Sequence, residues 1–187
     1  GIAALADGEI TFTGDDQIRA RPAANLLRSL EDLGARVVCE GGNGRAPFTI
    51  RGPLRGGRTR IECPTSQYLS SLLITAPLAA GPTEIDVPLL HERPYVEMTL
   101  RWLDEQGIRF ERRGLDHFRI SGGQKYTAFD KTVPGDFSSA AFFLCGAAVT
   151  GSTLTLRGLD MTDSQGDKEV VNILEKMGCA VRIGPEE

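Results

Sequence analysis

Three stretches of this chain end alike: LEDLGARV (30–37), LDEQGIRF (103–110) and LEKMGCAV (174–181). Each closes an amphipathic helix. Ala23, Leu26, Leu27 and Leu30 stand at i, i+3, i+4 and i+7. So do Val96, Thr99, Leu100 and Leu103, and again Val170, Ile173, Leu174 and Met177. That spacing places each set on one helical face. Gly34, Gly107 and Gly178 follow, where a helix stops in a left-handed conformation that glycine adopts without penalty. The glycines recur about 70 residues apart, a longer period than ordinary solenoid repeats have. Short alternating stretches accompany the helices: RVVCE (36–40), PFTIRG (47–52), RFERR (109–113) and HFRISGG (117–123). These read as half-buried strands.

A second type of helix recurs with the same period. TSQYLSSLLITAPLAAG (65–81) runs into a predicted strand, PTEIDV (82–87). DFSSAAFFLCGAAVTG (136–151) runs into another, STLTLRG (152–158). Both helices are apolar nearly all round, so both are expected to be buried inside a lobe. Pro77 is expected to kink or end the first of them. The opening GIAALADGEITFTG (1–14) reads as a helix end running into a strand, a start in mid-fold. The fold class is therefore α/β, a repeated module of buried helix, strand, amphipathic helix and further strands. The tract DKTVPGD (130–136) lies between two copies and is the expected boundary between parts.

Composition narrows the function. The 187 residues are 41% hydrophobic and 25% charged, with a formal net charge of -4. That balance argues against a general nucleic-acid binder, which carries a basic excess. No stretch approaches the roughly 20 apolar residues of a membrane span. Cys39, Cys63, Cys145 and Cys179 form no CxxC pair and read as reduced, mostly buried thiols of a cytoplasmic protein. His91 and His117 have no metal-ligand spacing.

No nucleophile elbow, P-loop, dinucleotide fingerprint or HExxH motif occurs in the sequence. GGNGRA (41–46) is flanked by strand-like segments and reads as a hairpin turn. Two places have the chemistry of anion sites. Thr65, Ser66 and Gln67 open a helix, where free N–H groups, the positive end of the dipole, hydroxyls and an amide meet. A simple N-cap by Thr65 or Ser66 is the competing account. Arg21 precedes Pro22, which suits the first position of the next helix. A cation there is unfavourable, so Arg21 points elsewhere, toward an anionic ligand or into solvent. Asp136 and Asp163 read as helix caps.

Five motifs in order resemble the 5-enolpyruvylshikimate-3-phosphate synthase family. They are FTGDDQIRARP (12–22), TSQYLSSLLITAPLA (65–79), ERPYVEMTL (92–100), VPGDFSSAAFFL (133–144) and DSQGDKEVVNILEKMGC (163–179). The resemblance spans essentially the whole chain and matches the middle of family members more than twice as long. It implies a two-lobe fold, an inside-out α/β barrel of repeated βαβαββ modules, incomplete in this chain. Residues 1–133 would belong to the substrate-binding upper lobe and 134–187 to the start of the second. It also implies transfer of the enolpyruvyl group of phosphoenolpyruvate to the 5-hydroxyl of shikimate 3-phosphate, with phosphate released and no metal or organic cofactor. This is a step of aromatic amino-acid biosynthesis.

By motif position the resemblance assigns Arg21 and Gln67 to phosphoenolpyruvate. It assigns Thr65, Ser66, Gln67 and Tyr95 to shikimate 3-phosphate. Glu92 stands where many members carry a phosphate-binding serine, so its carboxylate is expected to turn away or be paired. The general acid and base are expected in missing flanking segments, leaving the chain inactive alone and its incomplete lobes open to self-association. Two alternatives stay open: a segment of the sister transferase acting on UDP-N-acetylglucosamine, and a non-catalytic module that binds a phosphorylated ligand or another protein.

Overall fold

Alternation of apolar and polar side chains lays down the first sheet. The computed structural model describes residues 1–184. After a short 3-10 helix at Ile2–Leu5 come β1 (Glu9–Phe12), α1 (Asp16–Ala20), α2 (Ala24–Asp32), β2 (Arg36–Cys39) and β3 (Phe48–Arg51). The strand order is β1-β3-β2, antiparallel throughout. Ile10 faces Ile50 and Phe12 faces Phe48, with the two rings stacked 5.3 Å apart. GGNGRA forms the hairpin turn between β2 and β3. The Gly44 carbonyl in that turn accepts the Ala23 N–H at 2.7 Å, at the entry to α2.

Residues 57–120 then form one complete βαβαββ module. It runs β4 (Gly57–Cys63), α3 (Ser66–Thr75), β5 (Thr83–Leu90), α4 (Arg93–Glu105), β6 (Phe110–Arg113) and β7 (His117–Ile120). Its sheet has the order β4-β5-β7-β6. β4 and β5 are parallel, as two strands joined through a crossover helix must be, and the other pairs are antiparallel. The order β5-β7-β6 repeats β1-β3-β2, so β1, α2, β2 and β3 match the last four elements of the same module, with the short α1 additional. Pro77 ends α3, which tightens into a 3-10 turn at Ala76–Leu78.

The three matching stretches all close their helices by the same bonds. Gly34 N–H donates to Glu31 O, and Ala35 N–H donates to Leu30 O, both at 2.9 Å. Gly107 to Asp104 and Ile108 to Leu103 repeat this at 2.9 Å. α6 (Glu169–Lys176) ends with Gly178 to Glu175 at 2.9 Å and Cys179 to Leu174 at 3.0 Å. This is the Schellman geometry, which satisfies carbonyls that the helix end would leave open. The glycines have φ of 98°, 67° and 96°, values that a Cβ would strain.

One core joins both sheets of the unit Gly1–Thr127. Leu30 and Leu33 of the α2 region, Ile61 of β4, Leu69, Leu72 and Leu73 of α3, Leu100 and Leu103 of α4, and Phe118 of β7 are all buried. Between helices α3 and α4, the Ser70 and Thr99 hydroxyls pair at 2.8 Å.

The second unit begins at Ala128. It holds α5 (Phe137–Thr150), a 3-10 turn at Gly166–Lys168, and α6. Asp136 caps α5, accepting from the Ser138 and Ser139 amides at 3.0 and 3.1 Å. Three expectations fail here. Residues 152–158 form no strand, because a strand exists only through a paired neighbour and these residues have none among those described. α5 is not buried: Phe142, Phe143 and Val149 are 82%, 63% and 87% exposed. Asp163 does not cap α6. It accepts from Ser164 N–H and Gln165 Nε2, and Gln165 in turn accepts the Phe137 amide at 2.8 Å, bracing the start of α5. All four cysteines are free, but only Cys63 is buried, and Cys145 lies exposed on α5.

Candidate functional site

The parallel pairing of β4 and β5 creates the site. In register, Cys63 lies beside Leu90 at the carboxyl ends of the two strands. The chains leaving those ends therefore emerge together, with the His91 amide donating to Cys63 O at 3.0 Å. One continues through Pro64 and Thr65 into α3, the other through Glu92 into α4. A crevice beyond the carboxyl ends of parallel strands is where α/β sheets collect ligands.

Thr65 is the N-cap residue of α3, yet its side chain makes no capping bond to its own helix. The plain capping account therefore fails for Thr65. The cap is supplied from the neighbouring segment. Glu92 Oε2 accepts from Thr65 Oγ1 at 3.1 Å, from the Ser66 amide at 3.0 Å and from Ser66 Oγ at 3.0 Å. Three donors thus converge on one anionic oxygen at the positive end of a ten-residue helix. Glu92 is hydrogen-bonded here, and its partner is the anion-type donor set itself. The backbone amide of Ser66, then its hydroxyl and that of Thr65, hold the Glu92 carboxyl below the usual carboxylate range.

Glu92 takes this position in the left-handed region, at φ 55° and ψ 43°. It is the one non-glycine residue with positive φ among those described. Such a backbone is unfavourable for a branched or long side chain and persists where surroundings impose it. Here it turns the chain sharply from β5 into α4, with Pro94 in the first turn.

Gln67 lies exposed in the first turn of α3, next to the converging donors. Tyr95 lies half-buried in the first turn of α4, its amide donating to Glu92 O at 3.1 Å. Thr65, Ser66 and Glu92 are thus bonded together at two helix starts, with Gln67 and Tyr95 in the first turns of the same helices.

Arg21 arrives differently from expectation. Pro22 is not the first residue of a helix: α2 starts at Ala24, because the Gly44 carbonyl takes the Ala23 amide just before it. Arg21 instead ends α1, where a cation complements the helix dipole. Its segment is linked to α3 by a side chain that bonds the backbone beside it. The Tyr68 hydroxyl, in the first turn of α3, donates to the Pro22 carbonyl. Asn25 Nδ2 also donates to Glu62 O at 2.8 Å, fixing the start of α2 to the end of β4. Tyr68 and Asn25 are positioning residues that sequence reading missed. Tyr68 stands inside the TSQYLSS motif, but nothing local marks its distant partner.

Fold and site define a class: an α/β protein of repeated βαβαββ modules that gathers anion-type donors where two parallel strands end. The chain belongs to the EPSP synthase (3-phosphoshikimate 1-carboxyvinyltransferase) family, whose model matches residues 1–187. It is 52% identical over 181 residues to the 3-phosphoshikimate 1-carboxyvinyltransferase of Acetivibrio thermocellus, covering 97% of this chain and 43% of that protein. It is 47% identical over 180 residues to that of Ruminiclostridium cellulolyticum, covering 96% and 43%. The chloroplastic 3-phosphoshikimate 1-carboxyvinyltransferase of Arabidopsis thaliana is 42% identical over 185 residues, 96% of this chain and 36% of that one. The solved EPSP synthase of Acinetobacter baumannii superposes with a TM-score of 0.72 at 26% identity, covering 95% of this chain and 39% of that chain. The chain therefore spans less than half the length of these relatives.

Proposed function

We propose that this chain is a segment of an enzyme that moves the enolpyruvyl group of phosphoenolpyruvate to the 5-hydroxyl of shikimate 3-phosphate, releasing phosphate. The observation that carries this reading is the convergence of Thr65 Oγ1, Ser66 N–H and Ser66 Oγ on a single anionic oxygen. A phosphate monoester offers the same kind of oxygen, and a helix N-terminus favours its charge.

On this reading Thr65, Ser66, Gln67 and Tyr95 hold shikimate 3-phosphate, while Arg21 and Gln67 hold phosphoenolpyruvate. A guanidinium suits a carboxylate or phosphate because its fork matches two oxygens at once. Residues 1–133 belong to one lobe of the whole enzyme and 134–187 to the other. The chain supplies binding groups, and its flanking segments supply the general acid and base, so it does not turn over alone. A cytoplasmic setting goes with this reading. Among the described residues no helix is long and apolar enough to cross a membrane.

The test is an amide NMR titration with shikimate 3-phosphate, with UDP-N-acetylglucosamine as control. Saturable shifts at Thr65, Ser66, Gln67 and Tyr95 with the first ligand alone are expected. A well-dispersed spectrum without those shifts, in this chain and in its Glu92→Ala variant alike, overturns the reading.

A further inference from the structure

We propose that Glu92 is a built-in plug of the α3 anion site, whose carboxylate holds the phosphate donors until a phosphate monoester displaces it. The inference rests on the reading of Thr65 and Ser66 as phosphate-binding groups. It concerns how access to them is controlled.

The plug and the ligand compete for the same atoms. One oxygen of Glu92 engages Thr65 Oγ1, Ser66 N–H and Ser66 Oγ. A hydroxyl donates one proton and an amide donates one, so none of the three can serve a phosphate while it serves Glu92. The two anions also repel, since a carboxylate left beside a bound phosphate brings like charges together in a partly desolvated place. Binding therefore requires the Glu92 side chain to leave.

The structure makes that departure feasible. Glu92 is exposed, so its side chain swings into water rather than through the core. The helix it precedes stays anchored without it, because Val96, Leu100 and Leu103 are buried. A phosphate monoester brings more charge and three terminal oxygens to the same donors, which is why it displaces a single carboxylate. The closed state lowers apparent affinity by the fraction of molecules that are open.

Residue 92 thus sets affinity by what it occludes as well as by what it contacts. The test compares this chain with its Glu92→Ala and Glu92→Gln variants, titrated calorimetrically with shikimate 3-phosphate and with inorganic phosphate at pH 7.5. Alanine removes the plug and adds no donor. Glutamine keeps the shape and removes the charge, and it guards against a variant that folds poorly. Both variants are expected to bind shikimate 3-phosphate more tightly, Glu92→Ala by about 10-fold or more. In the unsubstituted chain, saturating ligand is expected to move the Glu92 carboxyl carbon resonance to its solvent-exposed position. Equal affinity in all three chains, with binding at Ser66 in each, overturns the plug and leaves the site standing. Absence of binding at Ser66 in all three overturns the site and the plug with it.

Discussion

The Tyr68 hydroxyl donates to the Pro22 carbonyl, tying the first turn of α3 to the residue that follows Arg21. Two candidate groups for two different anions are thereby held by one phenol. Burial pushes the Tyr68 phenol up from its ordinary titration range, so it remains a donor at neutral pH. Tyr68→Phe removes the bond and keeps the ring. A hydrogen bond of this kind contributes about 1 kcal/mol, or roughly fivefold in an equilibrium. The variant is expected to show faster amide exchange over residues 19–25 with little change in the α4 core. If exchange there is unchanged, the phenol does not fix the Arg21 segment.

Much of this fold was legible before the structure. The glycines 34, 107 and 178 close their helices by one set of bonds, and that set is local in sequence: an apolar residue, three positions, a glycine. The strands beside them were legible because alternation is also local. What failed were particular statements that depended on a distant partner. STLTLRG has the pattern of β5 but no neighbouring strand among the described residues. α5 has the composition of α3, but three of its large side chains face solvent. The N-cap of α3 looked like the property of Thr65, yet it comes from Glu92, 27 positions away. Motif position and charge marked Glu92 as a departure near the site. The parallel register of Cys63 with Leu90 brings the two chains together, and Glu92 reaches the same donors.

The pH response of the plug has a definite sign. The Glu92 carboxyl is held below its ordinary range of about 4.3, so its hydrogen bonds stabilise the folded chain above that range. The contribution is lost as pH falls through the folded value. His91, adjacent in the chain, also favours the carboxylate. Ser66→Ala removes one of the three donors and leaves the Ser66 amide in place. The Glu92 titration, followed by carboxyl carbon NMR, is expected to move part of the way back toward 4.3. A titration that does not move would mean that the Ser66 hydroxyl is not a partner in solution.

Asp136 makes a parallel case in the second unit. Its carboxyl is held down at about 2 by the Ser139 and Ser138 hydroxyls and by the Ser138 amide. An ordinary aspartate titrates near 3.9. The cap therefore stabilises α5 at full strength above that value and weakens as pH falls toward 2. Asp136→Asn keeps a good capping residue that does not titrate in this range. The difference in α5 helicity between the two chains is expected to change sign or vanish between about pH 4 and 2. The check is circular dichroism combined with α5 amide shifts across that interval. A difference that stays constant would place the cap elsewhere.

The face of α5 that carries Phe142, Phe143 and Val149 presents large apolar side chains to water at 82%, 63% and 87% exposure. Two aromatic rings and a branched aliphatic chain on one helix exceed the isolated apolar residues that a surface tolerates, and burying them recovers free energy in proportion to their area. Asp136 caps this helix and Gln165 braces its start, so the face is held in shape while uncovered. Self-association through this helix follows as the expected behaviour of the isolated chain. Sedimentation velocity is expected to show a weight-average coefficient that rises with protein concentration. Substituting Phe142→Ser and Phe143→Ser together is expected to flatten that dependence while α5 keeps its helical amide shifts. Two outcomes would decide against it: a coefficient independent of concentration in the unsubstituted chain, or a dependence that survives both substitutions. The second would move the association to another surface, because the residues removed are the two largest on the exposed face.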